Sequence, residues 1–489
     1  MSAQPAVRAY LEKILFREAK ARFSKISAVE MLTQLFIGSS AVAILAAYIY
    51  QWYWGTLLSQ QQRAGSDSDT RHQRRFRDLT LRVDLVPTGT SSKELESALE
   101  SIIAGSLDLQ GQLDGLVVRS ITPRDRTCVC ATVTVKTLLS EEKLLARLQQ
   151  ASKAYPYRYD YTFYGITPLY EDASGAHCDV VAVPGLASHA IGSWKSPRGN
   201  DLWLRDWLSE DIPNIRVLLY GYDTKLLKSN AKSSVEDLGR RFLESLTAFR
   251  TSDKTEHRPV ILIGHSLGGL LIKEALIHAA RSPASRPAHS LLSQVCCGLL
   301  FFGVPQLGLR NEKLASVVEG QPNQALIRAL VVDDESEPSD FLARMSDDFA
   351  RHFQGRLRVI SFYERRLSAT IEIQPDGTLQ RSGPPVLMVT RKSATSTGLT
   401  AVPDEDIVPL DADHSGLVKF ESRRDDAYVV VKERINRLVS GAASWTEDPP
   451  SASAAQRRNR VVATQHGSTF SGQYTINGGS LSQGNVMSL

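Results

Sequence analysis

At 489 residues the chain is too long for one ordinary domain and long enough to bury several cores. Lys plus Arg number 57 against 53 Asp plus Glu, a net charge of +4, so no global charge argument points to nucleic acid. Five cysteines, Cys128, Cys130, Cys178, Cys296 and Cys297, form neither a C-x-x-C pair nor a zinc spacing. No metal and no cofactor is expected, and a reducing compartment fits the odd count.

Residues 1–34 are basic and mixed in sign, with Leu11, Ile14, Leu15 and Glu18 at helical spacing. A mitochondrial presequence and a solvated helix ahead of a membrane segment both fit. Leu35 to Leu58 carries no charge and suffices to cross a hydrocarbon core of roughly 30 Å as a helix. Tyr50, Trp52, Tyr53 and Trp54 crowd its C-terminal end, where an aromatic belt belongs. The expectation is one transmembrane helix over 35–58, in a mitochondrial or endoplasmic reticulum membrane. A polar linker, 59–77, follows.

Residues 78–170 carry a compact pattern. Leu79 to Leu85 alternates as a strand, and Ser92 to Ala104 is helical with Ser92 as cap. Leu116–Ser120 and Thr127–Lys136 are strands, a second helix begins after the cap Ser140, and Tyr157–Gly165 is a last strand. This β-α-β-β-α-β order predicts a ferredoxin-like α+β domain. It lacks an aromatic–Arg pattern for RNA, so it is expected to position or to bind protein.

From 171 to 440 the pattern becomes βαβα with apolar strands: Val180–Val183, Ile215–Tyr220, Val260–Ile263, Cys297–Val304, Leu357–Tyr363 and Val386–Thr390. Leu202–Leu208 and Val235–Phe249 read as helices. Such alternation predicts a doubly wound, mostly parallel sheet covered on both faces. Its centre is Gly264-His265-Ser266-Leu267-Gly268, a G-x-S-x-G between an apolar strand and an apolar helix. That is the setting of a nucleophile elbow, in which a strained serine projects from the sheet edge and glycines let strand and helix approach.

A serine needs a base and the base needs an acid, in the chain order Ser, acid, His for this fold. Of His278, His289, His352, His414 and His466, only His414 follows the final strand in a loop before a last helix. Glu364 directly follows the strand two after the nucleophile strand; Asp404 and Asp406 are rivals, nearer His414 in sequence. The N–H of Leu267 and that of Leu186, after Pro184-Gly185, are the expected oxyanion donors. Gly185 and His265 are expected at the substrate.

With these residues placed, the chain resembles lipase-like serine hydrolases related to the serine active site-containing proteins and the GPI inositol deacylases. VVAVPGLASHAIGSW, IGHSLGGLLIKEAL, LLFFGVPQLG, VISFYE and PLDADHSGLVKF carry the likeness over roughly Cys178 to Val439. The resemblance implies a triad of Ser266, Glu364 and His414. GITPLYE, Gly165 to Glu171, is similar to segments ahead of the hydrolase in fungal NACHT-type proteins. Val-Pro-Gly stands here where the family more often has Val-His-Gly, and no P-loop follows.

The expected function is a membrane-anchored serine esterase or lipase acting on lipid or small-ester acyl bonds. A non-catalytic scaffold with the same fold, as in a fungal immune-type effector, is the alternative. Residues 441–489 have the composition of a disordered tail. Within it, 467–489 resembles amyloid signalling motifs, implying a protein partner with a similar motif.

Overall fold

The computed structural model describes residues 76–226, 232–332, 338–374, 378–400 and 402–442. Residues 1–75 and 443–489, and with them the expected basic segment, the expected membrane span over 35–58 and all but the first two residues of the expected tail, lie outside the described residues. Among the described residues no helix is long and apolar enough to cross a membrane.

The small domain runs β1 (Arg77–Pro87), a helix (Ser92–Ala104), β2 (Leu113–Pro123), β3 (Cys128–Thr137), a helix (Glu141–Ala151) and β4 (Arg158–Asp160). The strands form one antiparallel sheet in the order β2-β3-β1-β4. Its apolar face is buried by the two helices, with Leu81, Val83 and Val133 against Leu95, Leu99, Leu144 and Leu148. Ser91, not Ser92, caps the first helix: its Oγ accepts from the Glu94 N–H while the Glu94 carboxylate accepts from the Ser91 N–H, a reciprocal capping box. Ser140 caps the second.

The large sheet contains β5 (Gly165–Glu171), β6 (Cys178–Val183), β7 (Ile215–Gly221), β8 (Val260–His265), β9 (Cys296–Phe302), β10 (Arg358–Glu364) and β13 (Ile407–Leu410), ordered β13-β10-β9-β8-β6-β7-β5. All neighbours are parallel except β5 and β7. Strand β8 is buried on both faces, hence its unbroken apolar run. Leu262 joins the core made with helices Val235–Ser252 and Leu267–Ala280. Ile261 and Ile263 join the opposite core, with Trp203, Tyr428 and Ile435.

Three expectations need correction. Gly165–Glu171, assigned from the sequence to the small domain, is the edge strand of the large sheet, because its backbone pairs with β7. Val386–Thr390 is not a strand of that sheet: β11 (Ser368–Ile373) and β12 (Leu379–Val386) form a separate hairpin, and β13 completes the large sheet instead. Leu202–Leu208 is not one helix but the start of two short turns, Trp203–Asp206 and Leu208–Asp211.

The two sheets are joined through Arg82 of β1, which is buried. Its guanidinium pairs with Asp84 and Asp160 and donates to Tyr164 O at 3.1 Å and Thr167 Oγ1 at 2.8 Å.

Candidate active site

Ser266 ends β8 and begins helix Leu267–Ala280 with φ 52° and ψ −126°, a left-handed conformation that costs a non-glycine residue about 1–2 kcal/mol. The surroundings hold it there. The Ser266 N–H donates to Phe302 O at 2.9 Å. A Cβ at Gly264 would lie 2.5 Å from Gly269 Cα, and one at Gly268 only 2.3 Å from Val183 O. Both glycines are therefore required by close packing of strand and helix.

His414 lies in the loop after β13. Its Nε2 is 3.0 Å from Ser266 Oγ and its Nδ1 is 2.6 Å from Glu364 Oε2. An ionised carboxylate only accepts, so the ring proton sits on Nδ1 and Nε2 is free to accept from the serine hydroxyl. Glu364, the last residue of β10, is 3% exposed. Its Oε1 accepts from the N–H groups of Met388 at 2.6 Å and Val389 at 3.1 Å, which hold the carboxylate in place. The structure thus brings Ser266, His414 and Glu364 together. Asp406 is buried in a bidentate pair with Arg358, both bonds 2.8 Å, and is engaged elsewhere.

Gly185 lies against the serine: a Cβ there would be 2.9 Å from Ser266 Cβ. Only glycine lets this loop approach so closely, and the approach carries the N–H of Leu186 to the same end of the sheet as that of Leu267. Among the described residues neither N–H meets an acceptor.

His265 is buried, as Ser266 and His414 are, and its Nε2 is 2.9 Å from His414 O. A carbonyl only accepts, so Nε2 donates and Nδ1 is left as a buried acceptor without a partner. Burial, reinforced by the nearby His414, lowers its pKa to about 3 and keeps the ring neutral. Its place is under the histidine loop.

Sequence reasoning missed three supports. Ser368, at the start of the hairpin, accepts from the His414 N–H at 3.0 Å. The N–H groups of Met388 and Val389 follow the hairpin. Gly303, directly after β9, has φ +54° and touches the His414 ring. For Gly303 a signal existed, a glycine between an apolar strand and Val-Pro. For a lone serine and two backbone amides there was none. Among the described residues no group of His, Cys, Asp or Glu could hold a metal ion.

A strand-turn-helix serine at the carboxyl edge of a mostly parallel sheet, with a histidine and a carboxylate from later loops, defines an α/β-hydrolase. The Alpha/beta hydrolase family matches residues 152–465, and the chain belongs to it. Among curated proteins, Protein SERAC1 of Bos taurus is 25% identical over 293 residues, 56% of this chain and 40% of that protein. The Homo sapiens protein of that name is 27% identical over 225 residues, 42% of this chain and 33% of that protein. The matched stretch thus spans less than half the length of these relatives. Among solved structures, the mature lipase BlEst2 of Bacillus licheniformis is similar with a TM-score of 0.34 and 14% identity, covering 56% of this chain and 97% of that one.

Proposed function

We propose that this protein is a serine ester hydrolase that uses Ser266 as nucleophile, His414 as base and Glu364 as the orienting acid. The observation that carries this reading is the pair of hydrogen bonds to His414, with Nε2 toward a strained serine and Nδ1 on a buried carboxylate. In the reaction, Ser266 Oγ attacks the ester carbonyl while His414 Nε2 takes its proton. The oxyanion forms beside the N–H groups of Leu186 and Leu267. His414 then returns the proton to the leaving alcohol, and water, activated by the same ring, releases the acyl group. Glu364 stays ionised and stabilises the imidazolium.

The uncharged stretch 35–58 supports a membrane anchor and hence lipid esters as substrates, and the tail 467–489 supports a protein partner with a similar motif. The test of the chemistry is labelling by a fluorophosphonate, which should modify the wild type and spare Ser266→Ala. A folded wild type that fails to label is the outcome of a scaffold without catalysis. Resistance of the full chain to alkaline carbonate tests the anchor.

A further inference from the structure

We propose that the cavity of about 520 Å³ beside the oxyanion loop is the acyl-binding site, and that Tyr164, supplied by the connection from the small domain, limits the acyl length it accepts. This rests on the ester-hydrolase reading above. The volume lies within the roughly 300–1,000 Å³ of small-molecule sites. Leu186, Tyr222, Leu238 and Leu326 line one side of it with Tyr164, while the rest of the lining is polar and includes Asp223 and Asn323.

Its position follows from the strand order. His414, Glu364 and Gly303 lie on the β9, β10 and β13 side of Ser266, whereas the cavity lies at the ends of β7 and β5, on the other side. A tetrahedral centre on Ser266 Oγ carries three other groups. The leaving oxygen must face His414, which protonates it. The oxyanion must face the N–H groups of Leu186 and Leu267. The acyl chain is then left to the side opposite His414, and Leu186 is shared between the oxyanion loop and the cavity wall. Tyr222 links the two further, its hydroxyl donating to Pro184 O at 3.0 Å.

The wall at Tyr164 is fixed rather than loose. Arg82 donates to its carbonyl, and the preceding Phe163 is fully buried with φ 56°. A Cβ at Gly221 would sit 2.1 Å from Phe163 O, so the connection lies directly on the end of β7. The small domain therefore sets one wall of the pocket, which gives it a role in specificity. Lys225 and Arg241 also line the cavity and are exposed, so a chain that outgrows the apolar part meets charge. Octanoyl esters are accordingly preferred over acetyl esters, which leave the apolar side unfilled.

The experiment is a chain-length series of p-nitrophenyl esters on the full chain, with fluorophosphonate labelling in parallel. Leu238→Trp fills the cavity and should lower the octanoyl-to-acetyl ratio of kcat/KM by at least about tenfold. Tyr164→Ala opens the opposite wall and should move the optimum to longer chains, which keeps the proposal testable if Leu238→Trp fails to fold. Labelling at Ser266 with a profile that neither variant moves, or that both scale uniformly, overturns the acyl site while leaving the hydrolase reading intact. A wild type that neither labels nor cleaves any ester overturns both.

Discussion

Gly303 and His414 are packed so closely that a Cβ on the glycine would lie 3.0 Å from both Cε1 and Nδ1 of the imidazole. The same Cβ would lie 2.7 Å from Leu417 Cδ1, which blocks retreat in that direction. The ring that must face Ser266 and Glu364 at once is thus held from behind by bare backbone.

Gly303→Ala should therefore harm catalysis more than folding. Alanine in the left-handed region costs about 1–2 kcal/mol, a modest loss for a domain of this size. Displacing the ring by a few tenths of an ångström disturbs both of its hydrogen bonds, so kcat/KM should fall on the order of 10²-fold. Ester hydrolysis measured beside thermal unfolding separates the two effects. A variant with full activity would show that the ring does not depend on this contact.

The two buried carboxylates near the last strands invite opposite outcomes. In Glu364→Gln the single amide oxygen is needed by the Met388 and Val389 N–H groups, which leaves the NH₂ facing His414 Nδ1. The ring then moves its proton to Nε2 and can no longer accept from Ser266, so kcat should fall by about 10³–10⁴. Asp406→Asn instead breaks the pair with Arg358 and should lower stability by about 2 kcal/mol with activity largely kept. That figure is below the cost of a fully buried pair because the Arg358 side chain is 38% exposed. Activity lost in a folded Asp406→Asn but kept in Glu364→Gln would reverse the assignment of the acid.

What could be read from the sequence follows the reach of local signals. Val260 to Ala280 is legible because a buried strand, a five-residue turn and an apolar helix each leave a pattern, and they occur in series. His414 and Glu364 are legible only through topology, by counting strands after Ser266. That count leads to Glu364, whose carboxylate lies 2.6 Å from His414 Nδ1, although the last strand counted was misplaced, since Glu364 depends only on β9 and β10. Strand β13 escaped notice because it has four residues, one of them Pro409, and lies on the sheet edge. Strand β5 was visible as a segment, but nothing local to Gly165–Glu171 says which sheet it joins. The sheet it joins depends on pairing with β7, some fifty residues later in the chain, and on the Arg82 anchor. The backbone donors to Glu364 are invisible in principle, because any non-proline residue at 388 or 389 supplies the same N–H.

Lys273 yields the last prediction, one of pH-dependent stability. It sits two turns along the helix that begins after Ser266, is 1% exposed, and donates to Gln306 Oε1 at 2.8 Å and Thr397 O at 3.1 Å. The ring centre of Phe349 lies 5.0 Å from its Nζ. Burial lowers its pKa from 10.5 to about 7, opposed only weakly by Glu274. Between those values the unfolded chain binds a proton that the folded chain does not, so stability rises with pH across that window. Below about pH 7 both states are protonated and the cost of burying the charge is present in full. Lys273→Met removes the titration while keeping an apolar stem of similar length. The stability of the variant relative to wild type should therefore be greatest at pH 6 and decline by about 2 kcal/mol between pH 7 and pH 9, since one proton of difference changes stability by roughly 1.4 kcal/mol for each step of one in pH. Urea unfolding of both proteins at pH 6, 7, 8 and 9 measures this directly. A stability difference that stays constant over that range would mean that Lys273 keeps its ordinary proton affinity inside the fold.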